Sequence, residues 1–187
     1  IAGRSCDWLL VTPRDKLRFG YRICLDQVVK LPLKMEINNQ GKMLEALMFT
    51  EVSFPKVFDN NAWRSTINTQ SFSVQHETKP APVPKSQANK WRLESLPPGF
   101  KVVNKGFTSG GKENPQHWEH RMSVSDGLAT VSVFLSPVDD EPLQGASKMM
   151  GATHAYGRVL NNVQVMVVGE APSMTLQSIA EAVKIQF

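Results

Sequence analysis

Residues 17–26 read Leu-Arg-Phe-Gly-Tyr-Arg-Ile-Cys-Leu-Asp. Leu17, Phe19, Tyr21, Ile23 and Leu25 alternate with Arg18, Gly20, Arg22, Cys24 and Asp26, which is the period of a strand with one buried face. Residues 6–12 precede it as a second strand, and Pro13-Arg14-Asp15-Lys16-Leu17 joins the two. A hairpin centred on Asp15 sets Thr12 opposite Arg18, Trp8 opposite Arg22 and Cys6 opposite Cys24. Facing residues of antiparallel strands lie within reach of a disulfide. A Cys6–Cys24 bridge would indicate an oxidising compartment such as the periplasm. Two unpaired, half-buried thiols are the open alternative.

Leu31, Leu33, Met35 and Ile37 repeat the strand pattern, and Asn38-Asn39-Gln40-Gly41 supplies turn chemistry. The fourth strand, residues 42–52, is apolar on both faces: Leu44, Ala46 and Met48 on one, Met43, Leu47 and Phe49 on the other. Its second face calls for a cover, whether a helix, a partner or a lipid-like ligand. Asp59 is placed to cap a short helix over residues 59–67. Residues 76–90 carry Pro80, Pro82 and Pro84 among polar residues and read as a linker, giving blocks at 1–75 and 91–187.

In the second block Leu96-Pro97-Pro98-Gly99-Phe100 forces a turn, and strands are expected at 100–108, 116–125 and 128–135. Asp126-Gly127 suits a type I′ hairpin turn, and Asn161-Asn162 marks another hairpin tip. Ser173 is the expected cap of a final helix whose stripe is Leu176, Ile179, Ala180, Val183 and Phe187. The class is therefore α+β: mostly antiparallel sheet, with a helix packed on one face.

Chemistry leaves few candidates. A Gly-x-Ser-x-Gly elbow, a phosphate-binding glycine loop and a dinucleotide fingerprint are all absent from the sequence, and nothing in it calls for a cofactor. His117 and His120 flank Trp118-Glu119 in a strand, so they point to opposite faces rather than to one metal. Asp139-Asp140-Glu141 sits between Pro137 and Pro142 as a solvated loop. The chain carries a net charge of +4 and pI near 9.1, yet its basic residues are scattered, which argues against a nucleic-acid partner. Binding remains. Trp91, Phe100, Trp118 and Tyr156 read either as core aromatics or as the lining of a cleft between the blocks. Arg92 or Arg158 would pair with an acidic partner residue.

Several stretches, in order, carry a resemblance. They are Ala2-Gly3-Arg4, Pro13-Arg14-Asp15, Arg18-Phe19-Gly20-Tyr21, Leu25-Asp26 and Leu31-Pro32-Leu33-Lys34 in the first block. In the second they are Trp91, Leu96-Pro97-Pro98-Gly99-Phe100, Asp126-Gly127-Leu128 leading to Ser132-Val133-Phe134, and Val167-Val168-Gly169-Glu170 before Pro172 and the final helix. Together they resemble the MucB/RseB family of sigma-E regulatory proteins over essentially the whole chain. One stretch departs: before Leu31-Pro32-Leu33-Lys34 the family usually has a glycine-containing turn, and this chain has Gln27-Val28-Val29-Lys30.

The resemblance implies that residues 1–75 are the last strands of a curved sheet like that of the lipoprotein carriers LolA and LolB. Ile1 in place of an initiator Met fits a preceding portion outside this sequence. It also implies a periplasmic, non-enzymatic protein that binds an anti-sigma factor and shields it from proteolysis, and that a lipid or lipoprotein signal releases. A lipid carrier is the alternative. On these readings Met43, Leu47 and Phe49 face lipid, Trp91, Arg92, Phe100, Tyr156 and Arg158 face the partner, and the open first sheet is expected to form homodimers or higher oligomers.

Overall fold

The computed structural model describes residues 1–57, 59, 61, 64–67, 72–73, 91–109, 118–148 and 150–185. Four antiparallel strands, β1 (Cys6–Val11), β2 (Gly20–Asp26), β3 (Pro32–Asn39) and β4 (Lys42–Met48), form the first sheet in chain order. The β3–β4 turn is a two-residue connection with Gln40 at φ 48° and Gly41 at φ 83°, the pair of positive values that matches strand twist.

The β1–β2 register differs from the sequence expectation. Trp8 pairs with Cys24, Leu10 with Arg22 and Val11 with Tyr21, so the ladder is displaced by two residues. The connection runs from Thr12 to Phe19 because Leu17 and Arg18 are drawn out of the ladder to contact the second block. Cys6 and Cys24 nevertheless form a disulfide on the diagonal, with Cα atoms 5.4 Å apart. Cys24 and Asp26, assigned to the open face, are buried. The disulfide covers one, and Arg4 with the amides of Val28 and Val29 satisfies the other.

The β2–β3 turn answers the missing glycine. Lys30 occupies the left-handed region at φ 59°, a conformation glycine adopts without penalty. Asp26 holds the turn from within: its Oδ1 accepts from Val28 and Val29 at 2.8 Å. Residues 59–67 differ from expectation too. Among the described residues there, 59, 61 and 64–67, none is helical, and Asp59 accepts from the Asn61 amide at 2.9 Å.

The second block is a six-stranded antiparallel sheet with a helix on one face. Its strands are β6 (Lys101–Ser109), β7 (Trp118–Ser125), β8 (Thr130–Pro137), β9 (Gly145–Lys148), β10 (His154–Leu160) and β11 (Val163–Gly169), ordered β6-β7-β8-β11-β10-β9. Helix α1 spans Ser173–Ala182. Val131, Val133, Leu135, Val165 and Val167 pack beneath Leu176 and Ile179 in one core cluster. The linker expected at 76–90 lies outside the described residues, and so do His117 and Phe187.

Three local features correct the sequence reading. Pro172, not Ser173, is the N-cap, because its carbonyl accepts from Thr175 while no side chain caps the turn. The helix stops before Val183, which leads β12 (Val183–Ile185) into a ladder with β5 (Trp91–Leu93); the Val-Lys-Ile run suits a strand. At residues 126–129 only Gly127 has a positive φ, and Asp126 closes a four-residue loop by accepting from Leu128 and Ala129. The two-residue turn appears instead at Asn161-Asn162, both with positive φ.

Candidate partner-binding cleft

A seam joins the two blocks. The β1–β2 loop lies against the Asp126 loop, the Pro97–Phe100 turn and the start of α1. Thr175, fully buried, donates its hydroxyl to the Leu17 carbonyl at 2.6 Å. Arg18 donates through Nε to Asp126 at 2.9 Å, pairs with Asp15, and reaches the Pro98 carbonyl. Its guanidinium lies 5.4 Å from the centroid of the Phe100 ring. Further along, the Ala152 amide donates to Glu45 at 3.2 Å, and Ala152 packs into the cluster of Phe19, Tyr21 and Ile37.

Beside the seam is a cavity of about 280 Å³, lined by Pro13, Arg14, Tyr21, Leu128 and Glu170 among others. A larger, more open cavity of about 530 Å³ lies on the far side of the same loop, towards Asn39 and Gln40. Burial, then Asp126 and Glu170, push the Tyr21 phenol up to about 12, so it stays neutral near pH 7.

The residues assigned to partner binding from sequence do not converge on this cavity. Phe100 alone reaches the seam, as a buried core residue beneath Arg18. Trp91 and Tyr156 pack on the edge of the second core. Arg158 donates to the Val183 carbonyl at 3.3 Å, with its Nε buried and unpartnered among the described residues. Arg92 is exposed and pairs with Glu94. His120 is buried against the rings of Trp91, Phe107 and Trp118, at 5.9, 4.7 and 5.5 Å between centroids. Arg18, Tyr21, Asp126 and Thr175 were missed as contributors to the seam, since their contacts are remote in sequence.

The first sheet has two unlike faces. On one, Arg22 and Lys34 lie 4.8 and 6.0 Å from the Trp8 ring centroid, and both pair with Glu36. Those contacts, the Lys34 hydrogen bond first, hold the Glu36 carboxyl below its usual range. On the other face, Val11, Tyr21 and Ile37 meet the second block, while the row Leu9, Ile23, Met35 and Leu47 runs out to solvent. Met43, Leu47 and Phe49 are 55%, 69% and 47% exposed. No helix among the described residues is long and apolar enough to cross a membrane.

Two family models match the chain: the MucB/RseB N-terminal domain over residues 1–78 and the MucB/RseB C-terminal domain over residues 85–184. The sigma factor AlgU regulatory protein MucB of Pseudomonas aeruginosa is 30% identical over 98% of this chain and 57% of its own length. The sigma-E factor regulatory protein RseB of Salmonella typhimurium is 27% identical, over 98% and 56% respectively. Thus the chain spans a little over half the length of the curated relatives it matches. Among solved structures, MucB in complex with MucA(peri) covers all of this chain and 64% of its own, at 27% identity and a TM-score of 0.74. A crystal structure of MucB covers all of it and 60% of its own, at 27% identity and a TM-score of 0.63. The two model matches, which together span nearly the whole chain, show that it belongs to the MucB/RseB family.

Proposed function

We propose that this chain belongs to a periplasmic, non-enzymatic regulator of the sigma-E envelope-stress response, which binds the periplasmic region of a membrane-bound anti-sigma factor and shields it from proteolysis. The observation that carries this reading is the likeness of the whole chain to MucB in complex with MucA(peri). The Cys6–Cys24 disulfide supports an oxidising compartment. On this reading the cleft beside the seam takes part of the extended segment, and Trp91, Arg92, Tyr156 and Arg158, at the β5 edge of the second block, offer a second aromatic and cationic contact, with Phe100 buried beneath Arg18.

The row Leu9, Ile23, Met35 and Leu47, with Phe49 just past the end of β4, is apolar enough to take an acyl chain of a lipid or lipoprotein signal, whereas the bulge after Ile37 pairs Met43 with Asn38 and turns it to the opposite face. Such a ligand releases the partner only if it prefers the partner-free form. Strands β1 and β4 are the edges of the first sheet, and self-association through them accompanies this reading. A lipid or lipoprotein carrier of the LolA type is the second reading, favoured by the same exposed row. A cleavage assay separates the two. The regulator slows digestion of the anti-sigma periplasmic segment by its initiating protease, and lipid restores it. Digestion unaffected by the protein would refute the regulator.

A further inference from the structure

The cavity beside the seam has a charge opposite in sign to that of the molecule. The chain is +4 overall, yet the cavity is lined by three carboxylates, Asp15, Asp126 and Glu170, against two guanidinium groups, Arg14 and Arg18. Arg18 is committed to Asp15 and Asp126. Glu170, on the connection from β11 to α1, is thus the lining carboxylate that no described residue pairs with.

Behind it stands Tyr21, 6% exposed, whose hydroxyl makes no hydrogen bond to any described residue. Buried hydroxyls normally find partners. The unpartnered polar side-chain atoms sealed from solvent among the described residues are Arg158 Nε and Gln164 Oε1, so the Tyr21 hydroxyl is not sealed; Tyr21 lines this cavity, and the charges that act on its phenol are two of the cavity's carboxylates, Asp126 and Glu170. It is a neutral phenol whose oxygen is free to accept. The walls are fixed in advance by the Thr175–Leu17 bond and by Arg18.

We propose that this cavity receives one lysine or arginine side chain of a bound partner segment, with Glu170 as its counter-ion and the Tyr21 hydroxyl oxygen as a second acceptor. The volume of about 280 Å³ suits a single long side chain. Arg14, exposed and also lining the cavity, carries a like charge and works against the guest. This inference rests on the regulator reading and supplies the chemistry of one contact within it.

The test is calorimetric titration of the protein and three variants with the synthetic periplasmic segment of the cognate anti-sigma factor. The same segment with each Lys and Arg changed singly to Met is titrated in parallel. Glu170→Gln should weaken binding about tenfold and Tyr21→Phe about threefold, the scale of one charge-assisted and one neutral hydrogen bond at a partly open site. Arg14→Ala should tighten it. One substituted segment should bind the wild type and Glu170→Gln alike, which identifies the guest. Thermal melting confirms that each variant folds. Unchanged affinity in Glu170→Gln and Tyr21→Phe, or no segment substitution coupled to Glu170, would overturn the proposal while leaving the regulator reading intact. Failure of the unmodified segment to bind wild-type protein would overturn both.

Discussion

Replacing Arg18 with leucine keeps most of the apolar stem and removes every polar contact that joins the β1–β2 loop to the Asp126 loop. The bond to Asp126 is the main loss: its carboxylate side chain is only 8% exposed, and that of Arg18 is 24% exposed. A charge-assisted bond in such a setting contributes about 1.5–3 kcal/mol. The contact with Phe100 adds about 0.5–1 kcal/mol, and the more exposed Asp15 pair adds less than about 0.5 kcal/mol. Asp126 still accepts from Leu128 and Ala129, and the Pro98 carbonyl regains water, so the net cost is about 2–3 kcal/mol. Arg22→Leu is the control. Arg22 also pairs with a carboxylate, at 3.1 Å, and lies over an aromatic ring, but it is 49% exposed. Its loss should cost no more than about 1 kcal/mol. Urea unfolding followed by tryptophan fluorescence measures both. If Arg18→Leu proves no more destabilising than Arg22→Leu, the seam is not held by this side chain.

Three further expectations follow from the first block. Contacts with Arg4 and with the Val29 and Val28 amides hold the Asp26 carboxyl far below its usual range, and Glu36 is lowered as well. A depressed folded-state pKa stabilises above the unfolded value and is lost as pH falls towards the folded one. Melting temperature should therefore drop as pH falls below about 4, and Asp26→Asn should flatten that slope; equal slopes would count against the ion pair. Lys30→Gly should stabilise by about 1 kcal/mol, because a side chain at φ 59° is strained, whereas Lys30→Ala should not; a urea midpoint settles it. Reduction of the disulfide, which spans 18 residues, should cost about 3 kcal/mol and release two thiols on titration under denaturing conditions.

Much of the framework was legible because it is periodic. The alternation of Val131, Val133 and Leu135 with Ser132 and Phe134 fixes both the strand and the face it buries. The same period made Phe19 and Tyr21 readable as core. What stayed hidden depends on partners far along the chain. Arg18 meets Asp126 across 108 residues and Thr175 meets Leu17 across 158, and no local pattern signals either. Cys24 and Asp26 looked outward by parity because the disulfide and Arg4 that bury them are not visible in alternation. Val183 satisfied a helical stripe as well as it satisfies a strand, and pairing with Leu93 decided between them. Asp-Gly and Asn-Asn both carry turn chemistry, but Asp126 is pulled into a longer loop by its own amide contacts and by Arg18.

On the proposed function, this protein would hold an anti-sigma segment in a state that lipid releases. The most direct measurement is calorimetric titration of the protein with the periplasmic segment of the cognate anti-sigma factor, with and without lipid. The account predicts binding with Kd of about 1 μM or tighter, weakened when lipid is present. No heat from the segment, with saturable uptake of acyl chains in its place, would contradict the account and establish the carrier.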